Sequence, residues 1–364
     1  MNTIYFTVTN DLSYDQRMHR ICGSLAKAGY HVTLVGRQLP GSLPLKKEIF
    51  HQKRLRCFFN KGMLFYAEYN VRLFWFLLHS RMNAVCAIDL DTILPCLAIS
   101  LIKKTKRIYD AHEYFTELKE VRTRPVIKKI WLAIERLCVP RFPFGYTVSN
   151  GLADAFYTKY QCKYEVIRNL PVLMDNDIST NKEKLLIYQG AVNEARGFEQ
   201  LIPAMQHIPY RLMICGDGNF MSQLKALIAR YNVADKIMLT GMLLPEELRK
   251  LAKNATLGIA LAEKEGLNQY RALPNKFFEY MHAGLPQVAM DFPEYQLINN
   301  QYKVAVLIPS LEIPMIIKVI NETMENEELM NMMKLNCSKA RNIFCWQQEE
   351  EKLLQFYSKA LPIE

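Results

Sequence analysis

The stretch KLLIYQGAVNEARGFEQLI, residues 184–202, contains one complete unit of the pattern that decides the fold. Its first part, KLLIYQG, is a short apolar run, typical of a strand buried on both faces of a parallel sheet. Arg196 and Gly197 then close a loop and open a helix-like run. The same order of strand and helix recurs along the chain, and the other strand-like runs are TIYFTVT (3–9), HVTLVG (31–36), AVCAID (84–89), RIYDAH (107–112), GYTVS (145–149), YRLMICG (210–216), KIMLTG (236–241), ATLGIAL (255–261), PQVAMD (286–291) and VAVLIP (304–309).

This alternation predicts two α/β domains, each with a doubly wound parallel sheet. A typical helix runs from Asp15 to Ala28, with Asp15 as its N-cap and Gly29 at its end. The segment RNLPVLMDNDISTNKEK (168–184) interrupts the alternation and predicts a linker. The predicted organisation is a first Rossmann-like domain at 1–170, a linker at 171–183, a second Rossmann-like domain at 184–342 and an amphipathic C-terminal helix at 343–364.

The charge is distributed unevenly along the chain. The 364 residues carry a net charge of +10, and residues 1–170 hold 26 Lys and Arg against 13 Asp and Glu. Such a basic half suggests an anionic partner. Much of the charge lies in LKKEIFHQKRLRCFFNK (45–61), which we interpret either as a solvated loop and helix face or as a surface that touches anionic lipid.

Several classes of protein are disfavoured by the same composition. The chain opens without a secretory signal pattern, and no window of about 18 uninterrupted apolar residues predicts a spanning helix. Its nine cysteines include no Cys-x-x-Cys pair, which argues against a structural zinc site and fits a reducing cytosol. No nucleic-acid recognition motif accompanies the basic stretch, so a nucleic-acid partner is not expected.

A family resemblance rests on motifs in both halves. In the second half these are YQGAVNEARGFEQLI, YRLMICGDGNF, KIMLTGMLLPEELRKLAKNA and PNKFFEYMHAGLPQVAMD. Together they resemble the donor-binding domain of GT-B glycosyltransferases, specifically the retaining glycosyltransferase family 4. In the first half NDLSYDQRMHR, AIDLDTILP and IYDAHEYFTEL look like the acceptor domain of bacterial members. Phe344 and Trp346 open a terminal helix like the one that, in that family, crosses back to the first domain.

The resemblance implies a nucleotide-sugar donor site in the second domain. Glu279 falls at the second carboxylate of the family's Glu-x7-Glu motif, which binds the ribose hydroxyls. A carboxylate suits this role because it can accept two hydrogen bonds from a cis-diol. The helix that starts after Pro274, with Asn275 and Lys276 first, offers backbone N–H groups to phosphate oxygens. The alternative is that Glu279 merely faces water.

The first carboxylate of that motif is missing. Arg271 stands eight residues before Glu279, where the family often has an acid. Glu265 looks like the displaced acid, with Glu263 as a further candidate, and Arg271 would then neutralise a diphosphate. This departure leaves open a protein without catalytic activity.

Two other donor-side positions follow from the resemblance. Arg196, followed by Gly197, matches the family's basic residue on the donor diphosphate, where a cation and a helix N-terminus would stabilise the leaving group. The family's partner arginine appears as Ala191. Met242 falls where the family holds the base by main-chain atoms.

The acceptor-side candidates are Asp11, Arg17, His112 and Glu113. His112 resembles the family's cleft histidine that contacts the transferred sugar, with Asp110 and Glu113 to orient it or to bind hydroxyls. A structural histidine at a strand end is the alternative. Asp89 and Asp91 form an Asp-x-Asp pair, but Asp91 is interpreted as a helix cap and no metal site is predicted.

These inferences favour a metal-independent, cofactor-free, retaining glycosyltransferase of the hexosyltransferase type. It would transfer sugar from a nucleoside-diphosphate sugar to a glycan or lipid-linked acceptor. The catalytic residues implied are His112, Arg196 and Glu279. The protein is expected to be cytoplasmic, and 45–80 is the candidate segment for peripheral contact with the inner face of the cytoplasmic membrane. The alternatives are a GT-B subunit that binds a nucleotide or glycan without turnover, and a sugar-nucleotide epimerase.

Overall fold

The computed structural model describes residues 2–174 and 184–362 and divides the chain into two compact units. Unit 1 comprises Met1–Asn169 and Gln348–Glu364, and unit 2 comprises Leu170–Gln347. The predicted linker at 171–183 falls largely on 175–183, which lie outside the described residues. Each unit is built around its own parallel sheet with helices packed on it, as the alternation predicts.

Unit 1 contains a seven-stranded sheet in the order β3-β2-β1-β4-β5-β6-β7, in which the described pairings are all parallel. Four short 3₁₀ turns, which include Leu12–Tyr14 and Leu90–Thr92, punctuate the described part of this unit. Its strands and helices are β1 (Thr3–Thr7), α1 (Gln16–Lys27), β2 (His31–Gln38), β3 (His51–Arg56), α2 (Gly62–Leu78), β4 (Ala84–Ile88), α3 (Ile93–Lys103), β5 (Lys106–Ala111), α4 (Lys119–Arg122), α5 (Pro125–Cys138), β6 (Phe144–Thr147), α6 (Asn150–Tyr160) and β7 (Glu165–Val166).

Unit 2 contains a six-stranded parallel sheet in the order β10-β9-β8-β11-β12-β13. Its elements are β8 (Leu185–Gln189), α7 (Phe198–Ala204), β9 (Arg211–Cys215), α8 (Met221–Arg230), β10 (Ile237–Gly241), α9 (Pro245–Asn254), β11 (Leu257–Ala260), α10 (Leu267–Arg271), α11 (Asn275–His282), β12 (Gln287–Met290), α12 (Pro293–Tyr302), β13 (Ala305–Ile308), α13 (Ile313–Glu325) and α14 (Glu327–Ile343). Every strand-like run identified in the sequence overlaps one of these strands or a strand of unit 1.

The last helix, α15 (Trp346–Ala360), belongs from Gln348 onward to unit 1. Tyr357 is buried there with its hydroxyl 3.3 Å from that of Tyr146, and Lys106 Nζ donates to the carbonyl of Ala360 at 2.6 Å. The amphipathic pattern of the helix reflects this burial of one face. The prediction that the C-terminal helix returns to the first domain is confirmed.

The basic run 45–61 differs from its predicted structure. His51–Arg56 is a strand, β3, which pairs in parallel with β2 at the edge of the sheet. Lysine and arginine are common on edge strands because they discourage pairing with another chain, and they hide the apolar alternation from sequence inspection. The interpretation of this run as loop and helix is therefore wrong over these six residues.

Candidate functional site

In unit 2, two loops meet at the carboxyl ends of the neighbouring strands β8 and β9. Gly190 follows β8 with φ +118°, and Gly216 follows β9 with φ +150°. A Cβ atom on Gly216 would lie 1.9 Å from the carbonyl oxygen of Gly190, and one on Gly218 would lie 2.3 Å from that of Val192. The glycines therefore permit a backbone-to-backbone contact that no side chain would allow.

Lys276 lies beside this contact, in the first turn of α11. Its side chain is 8% exposed, and its Nζ has no hydrogen-bond partner within the described part of the chain. The Nζ lies 3.5 Å from the centroid of the Tyr188 ring and near Gly190, whose added Cβ would be 4.0 Å away. Burial lowers the pKa of Lys276 well below its ordinary value, the nearby Arg196 lowers it further, and Glu279 raises it. An anionic ligand would supply the missing partner.

Glu279 lies one turn after Lys276 on the same helix. It is half-buried, and its carboxylate accepts a hydrogen bond from Nε2 of Gln189, the last residue of β8. The backbone N–H of Gln189 donates to the hydroxyl of Tyr280 at 3.0 Å, which ties α11 to the strand end. Glu279 therefore does not simply face water.

Arg196 approaches from the loop between β8 and α7. The residues on either side of Arg196 both have a positive φ, +64° at Ala195 and +73° at Gly197. Arg196 Nη1 donates to Oε1 of Gln269 on α10 at 2.9 Å. Its positive charge lowers the pKa of Lys276. The loop therefore brings a second cation to the same strand end. Arg196, Lys276 and Glu279, separated by up to 83 positions in sequence, are thus brought together.

The other donor-side candidates lie at helix ends or in loops of unit 2. Gly197 is the N-cap of α7 and is buried, since an added Cβ would lie 3.1 Å from Cβ of Leu261. Met242 is exposed after β10, and Asn275 is exposed as the first residue of α11. Glu265 is exposed immediately before Gly266, the N-cap of α10, and Arg271 ends that helix.

In unit 1, Asp89 organises the loop that carries His112. Asp89 is buried and adopts φ +52°, a strained conformation for a residue other than glycine. Its Oδ1 accepts hydrogen bonds from the backbone N–H groups of His112 and Glu113, both at 3.1 Å. Its Oδ2 lies 3.0 Å from Nε2 of His112. Burial raises the pKa of Asp89, and the charges of Glu113 and Asp91 add to this effect.

The expected orienting role of Asp110 is therefore wrong. Asp110 is fully buried and pairs instead with Arg17, whose Nη2 lies 2.7 Å from Oδ1. Arg17 is 4% exposed and also donates Nη1 to the carbonyl of Ile167 at 3.3 Å. It belongs to the core of unit 1, which does not present it to an acceptor. The sequence analysis named Asp89 only as part of an Asp-x-Asp pair and did not predict its contact with His112, although an acid directly after a strand was the available signal.

At the first loop of unit 1, the structure confirms the prediction that Asp15 caps a helix. It corrects the same prediction for Asp91. Asp15 caps α1, because its carboxylate accepts from the N–H of Met18 at 3.1 Å. Asp91 caps no helix, since its carboxylate instead accepts from the Thr9 hydroxyl, and burial raises its pKa to about 7. Asp11 accepts hydrogen bonds from Arg54 at 2.5 Å and from the N–H of Ser13 at 3.1 Å.

Residues 2–174 and 184–362 contain neither a cluster of metal ligands nor a helix suited to span a membrane. No three His, Cys, Asp or Glu side chains there are grouped so that they could hold a metal ion. No helix in that part of the chain has the length and apolar content needed to cross a bilayer.

A segment of the second unit matches a known protein family. Residues 174–340 match the family described as "Glycosyl transferases group 1". The matched segment contains the two glycine loops and the Arg196, Lys276 and Glu279 group. No curated protein sequence matches the chain.

Solved structures that resemble the whole chain share its fold at low identity. Sucrose-phosphate synthase from Thermosynechococcus elongatus has a TM-score of 0.76 and 15% identity, with 99% of both chains covered. Anabaena Alr3699/HepE has a TM-score of 0.77 and 12% identity, with 99% of this chain and 100% of that chain covered. The lipopolysaccharide glycosyltransferase WaaG has a TM-score of 0.72 and 14% identity, with 97% and 99% covered. The chain thus has the GT-B fold of these structures, with two Rossmann-like α/β domains.

Proposed function

We propose that the protein is a retaining glycosyltransferase that moves a hexosyl group from a nucleoside-diphosphate sugar to a glycan or lipid-linked acceptor without a metal ion. The observation that carries this proposal is Lys276, a buried cation whose Nζ lacks a hydrogen-bond partner among the described residues. A buried charge is costly unless it is paired. A diphosphate bound beside Gly190 would pair it.

The neighbouring groups suit the remaining parts of such a donor. Arg196 adds a second cation for the diphosphate, and Glu279 offers carboxylate oxygens to the ribose hydroxyls. The similar Anabaena protein Alr3699/HepE has been crystallised with UDP-glucose, and TarM from S. aureus with UDP. These structures, with the match to the group 1 family, support a nucleotide-sugar donor.

The reaction chemistry follows from the charge of this site. When the glycosidic bond to the diphosphate breaks, negative charge accumulates on the departing phosphate. Arg196 and Lys276 would stabilise that charge, and this electrostatic effect is commonly the largest in catalysis. In unit 1, His112 is held by Asp89 and is the proposed contact for sugar hydroxyls on the acceptor side, with Glu113 beside it.

The proposal is tested by a thermal-shift and calorimetric panel of UDP, GDP, ADP and CMP with and without EDTA. We expect one diphosphate to stabilise the protein equally in both conditions. Glu279→Ala should weaken its binding about tenfold or more, because a hydrogen bond to a charged group contributes about 1.5–3 kcal/mol. Glu322→Ala, which removes an exposed carboxylate on α13, is the matched control and should bind normally. Absence of binding by all four nucleotides would reject the proposal.

A binding subunit without turnover is the second candidate. It is favoured by Arg271, which stands where the family often has an acid, and by the exposed position of Glu265. Nucleoside diphosphate binding with no release of diphosphate from any nucleotide sugar would support this candidate. Transfer or slow hydrolysis of one sugar nucleotide would exclude it.

We also propose that unit 1 contacts anionic membrane through residues 45–80. Phe58 is 85% exposed, Trp75 is 56% exposed on α2, and Lys46, Lys47 and Lys53 are exposed nearby. Apolar side chains beside lysines are typical of interfacial binding.

Co-sedimentation with vesicles tests this contact. We expect binding to vesicles of phosphatidylcholine with phosphatidylglycerol, weakened by salt because charge is screened. Phe58→Ser should reduce the bound fraction several-fold. Leu335→Ser, at a 66% exposed position on α14 of unit 2, should not. Binding that ignores salt and Phe58, or no binding, would refute the contact.

A further inference from the structure

Unit 1 contains a cavity of about 400 Å³ at the carboxyl ends of β1 and β2. Small-molecule sites commonly measure about 300–1,000 Å³, so the cavity has the volume of a ligand site. It has no part in the donor chemistry, which lies in unit 2. Polar groups from Thr9, Asn10 and Asn60, the cations Arg37 and Lys61 and the rings of Phe65 and Tyr66 line it.

The side chain of Arg37 is held in place by an aromatic ring and a hydrogen bond. Its guanidinium carbon lies 4.0 Å from the centroid of the Phe65 ring, and its Nη2 donates to the carbonyl of Asn60 at 3.1 Å. Its Nε is buried and has no hydrogen-bond partner within the described part of the chain. The guanidinium is planar and remains charged, so it is held ready to donate to a carboxylate or phosphate.

The lining of the cavity is positively charged, because its acid, Asp11, is already paired within the protein. Asp11 also lines the cavity, but Arg54 and Ser42 both donate to its carboxylate. Lys61 is the N-cap of the 17-residue helix α2 and makes no capping bond with its side chain. Lys61 and the partial positive charge of the helix start therefore add to Arg37.

We propose that this cavity binds the anionic group of a phosphorylated or carboxylated sugar on the acceptor, with Arg37 as its main contact. The inference rests on the proposed transferase function, to which it adds the chemical class of the acceptor. Asn10 and Thr9 offer hydrogen bonds to sugar hydroxyls, and Tyr66 offers a ring for the apolar face of the sugar. A neutral sugar would leave Arg37 without its anionic partner.

The test is calorimetric titration of the full chain with glucose 6-phosphate, glucuronate and neutral methyl glucoside, with no nucleotide present. We expect at least one anionic sugar to bind tenfold or more tightly than the neutral one. Arg37→Gln and Lys61→Gln should each weaken that binding, by about tenfold for Arg37. Lys61 is exposed, so its variant should fold normally. Lys27→Gln, at an exposed lysine at the end of α1, is the control and should leave binding unchanged.

The outcomes separate this proposal from that of the donor site. Preference for glucose 6-phosphate or for glucuronate identifies the anion. Equal binding of the neutral sugar, or no binding of either anion, overturns the proposal. Binding that survives Arg37→Gln but disappears in Lys276→Gln also overturns it, because the anion then occupies unit 2. The protein could bind an anionic sugar through Arg37 and yet bind no nucleoside diphosphate. That result would reject the transferase function and support the cavity as an anionic-sugar site.

Discussion

Replacing Lys276 by methionine is expected to weaken nucleoside diphosphate binding by about 100-fold and to stabilise the nucleotide-free protein. Loss of charge-assisted bonds to a phosphate costs roughly 2–3 kcal/mol. The unfolding free energy should rise by about 1–3 kcal/mol, because the substitution removes a buried charge with no hydrogen-bond partner in the described chain and keeps most of the side-chain volume. Calorimetric titration and urea unfolding measure the two effects.

The unfolding free energies of wild type and of Lys276→Met should depend on pH differently, and the lowered pKa of Lys276 sets the sign of the difference. The pKa of Lys276 is lowered on folding, so the unfolded chain binds the proton more tightly than the folded protein does. The destabilisation is therefore complete below the lowered pKa and disappears as pH rises toward the ordinary value of 10.5. Wild type should gain stability relative to the methionine variant across that window. Diphosphate binding there should be accompanied by proton uptake.

Lys225→Met is the matched control for this experiment. Lys225 is exposed on α8 of the same unit, so its loss should change neither nucleotide affinity nor unfolding free energy by more than about 0.5 kcal/mol. If Lys276→Met destabilised the free protein and bound nucleotide as wild type does, Lys276 would be a structural residue. The observation that carries the proposed function would then fail.

Replacing Gly216 by alanine is expected to be among the most damaging single-methyl additions in unit 2. The backbone at φ +150° is unfavourable for any residue with a Cβ, and the added atom would lie 1.9 Å from the Gly190 carbonyl oxygen. The two loops must separate, and we expect a loss of about 3 kcal/mol or more in unfolding free energy. Nucleotide binding should fall with it because Gly190 adjoins Lys276.

Gly23→Ala is the control for Gly216→Ala, because it adds the same methyl group where there is room for it. Gly23 lies inside α1, and nothing stands within 4 Å of its added Cβ. Alanine there should stabilise the protein by about 0.5–1 kcal/mol, since glycine is a poor helix former. Denaturant unfolding of both variants checks the pair. Equal, small effects would show that the loops beside Gly216 adjust freely.

Sequence pattern was sufficient for the architecture because the buried strands are continuous apolar runs and the sheets are parallel. β3 and β7 escaped notice for physical reasons. The edge strand β3 is largely exposed and basic, and β7 has only two residues, Glu165 and Val166. The identity of the capping residue Asp15 was also predictable, since a cap is a local interaction.

The candidate site was predictable as a set of residue types but not as an arrangement. Glu279, Arg196 and Lys276 were identified from motifs. The burial of Lys276 against Tyr188 could not be foreseen, because it depends on how α11 packs on β8. The same limit explains Arg17 and Asp110. Their pairing joins residues 93 positions apart, and only the folded sheet brings them together.

The composition of unit 1 from two chain segments has a consequence for biosynthesis. Leu353, Phe356 and Tyr357 of α15 are buried in this unit, yet a ribosome makes them only after all of unit 2. Domains usually fold in the order in which they are synthesised. Here the core of unit 2 can be completed before the final helix of unit 1 has been synthesised, although unit 1 is begun first. During translation the amino-terminal sheet therefore exposes apolar surface for longer than the sheet that follows it.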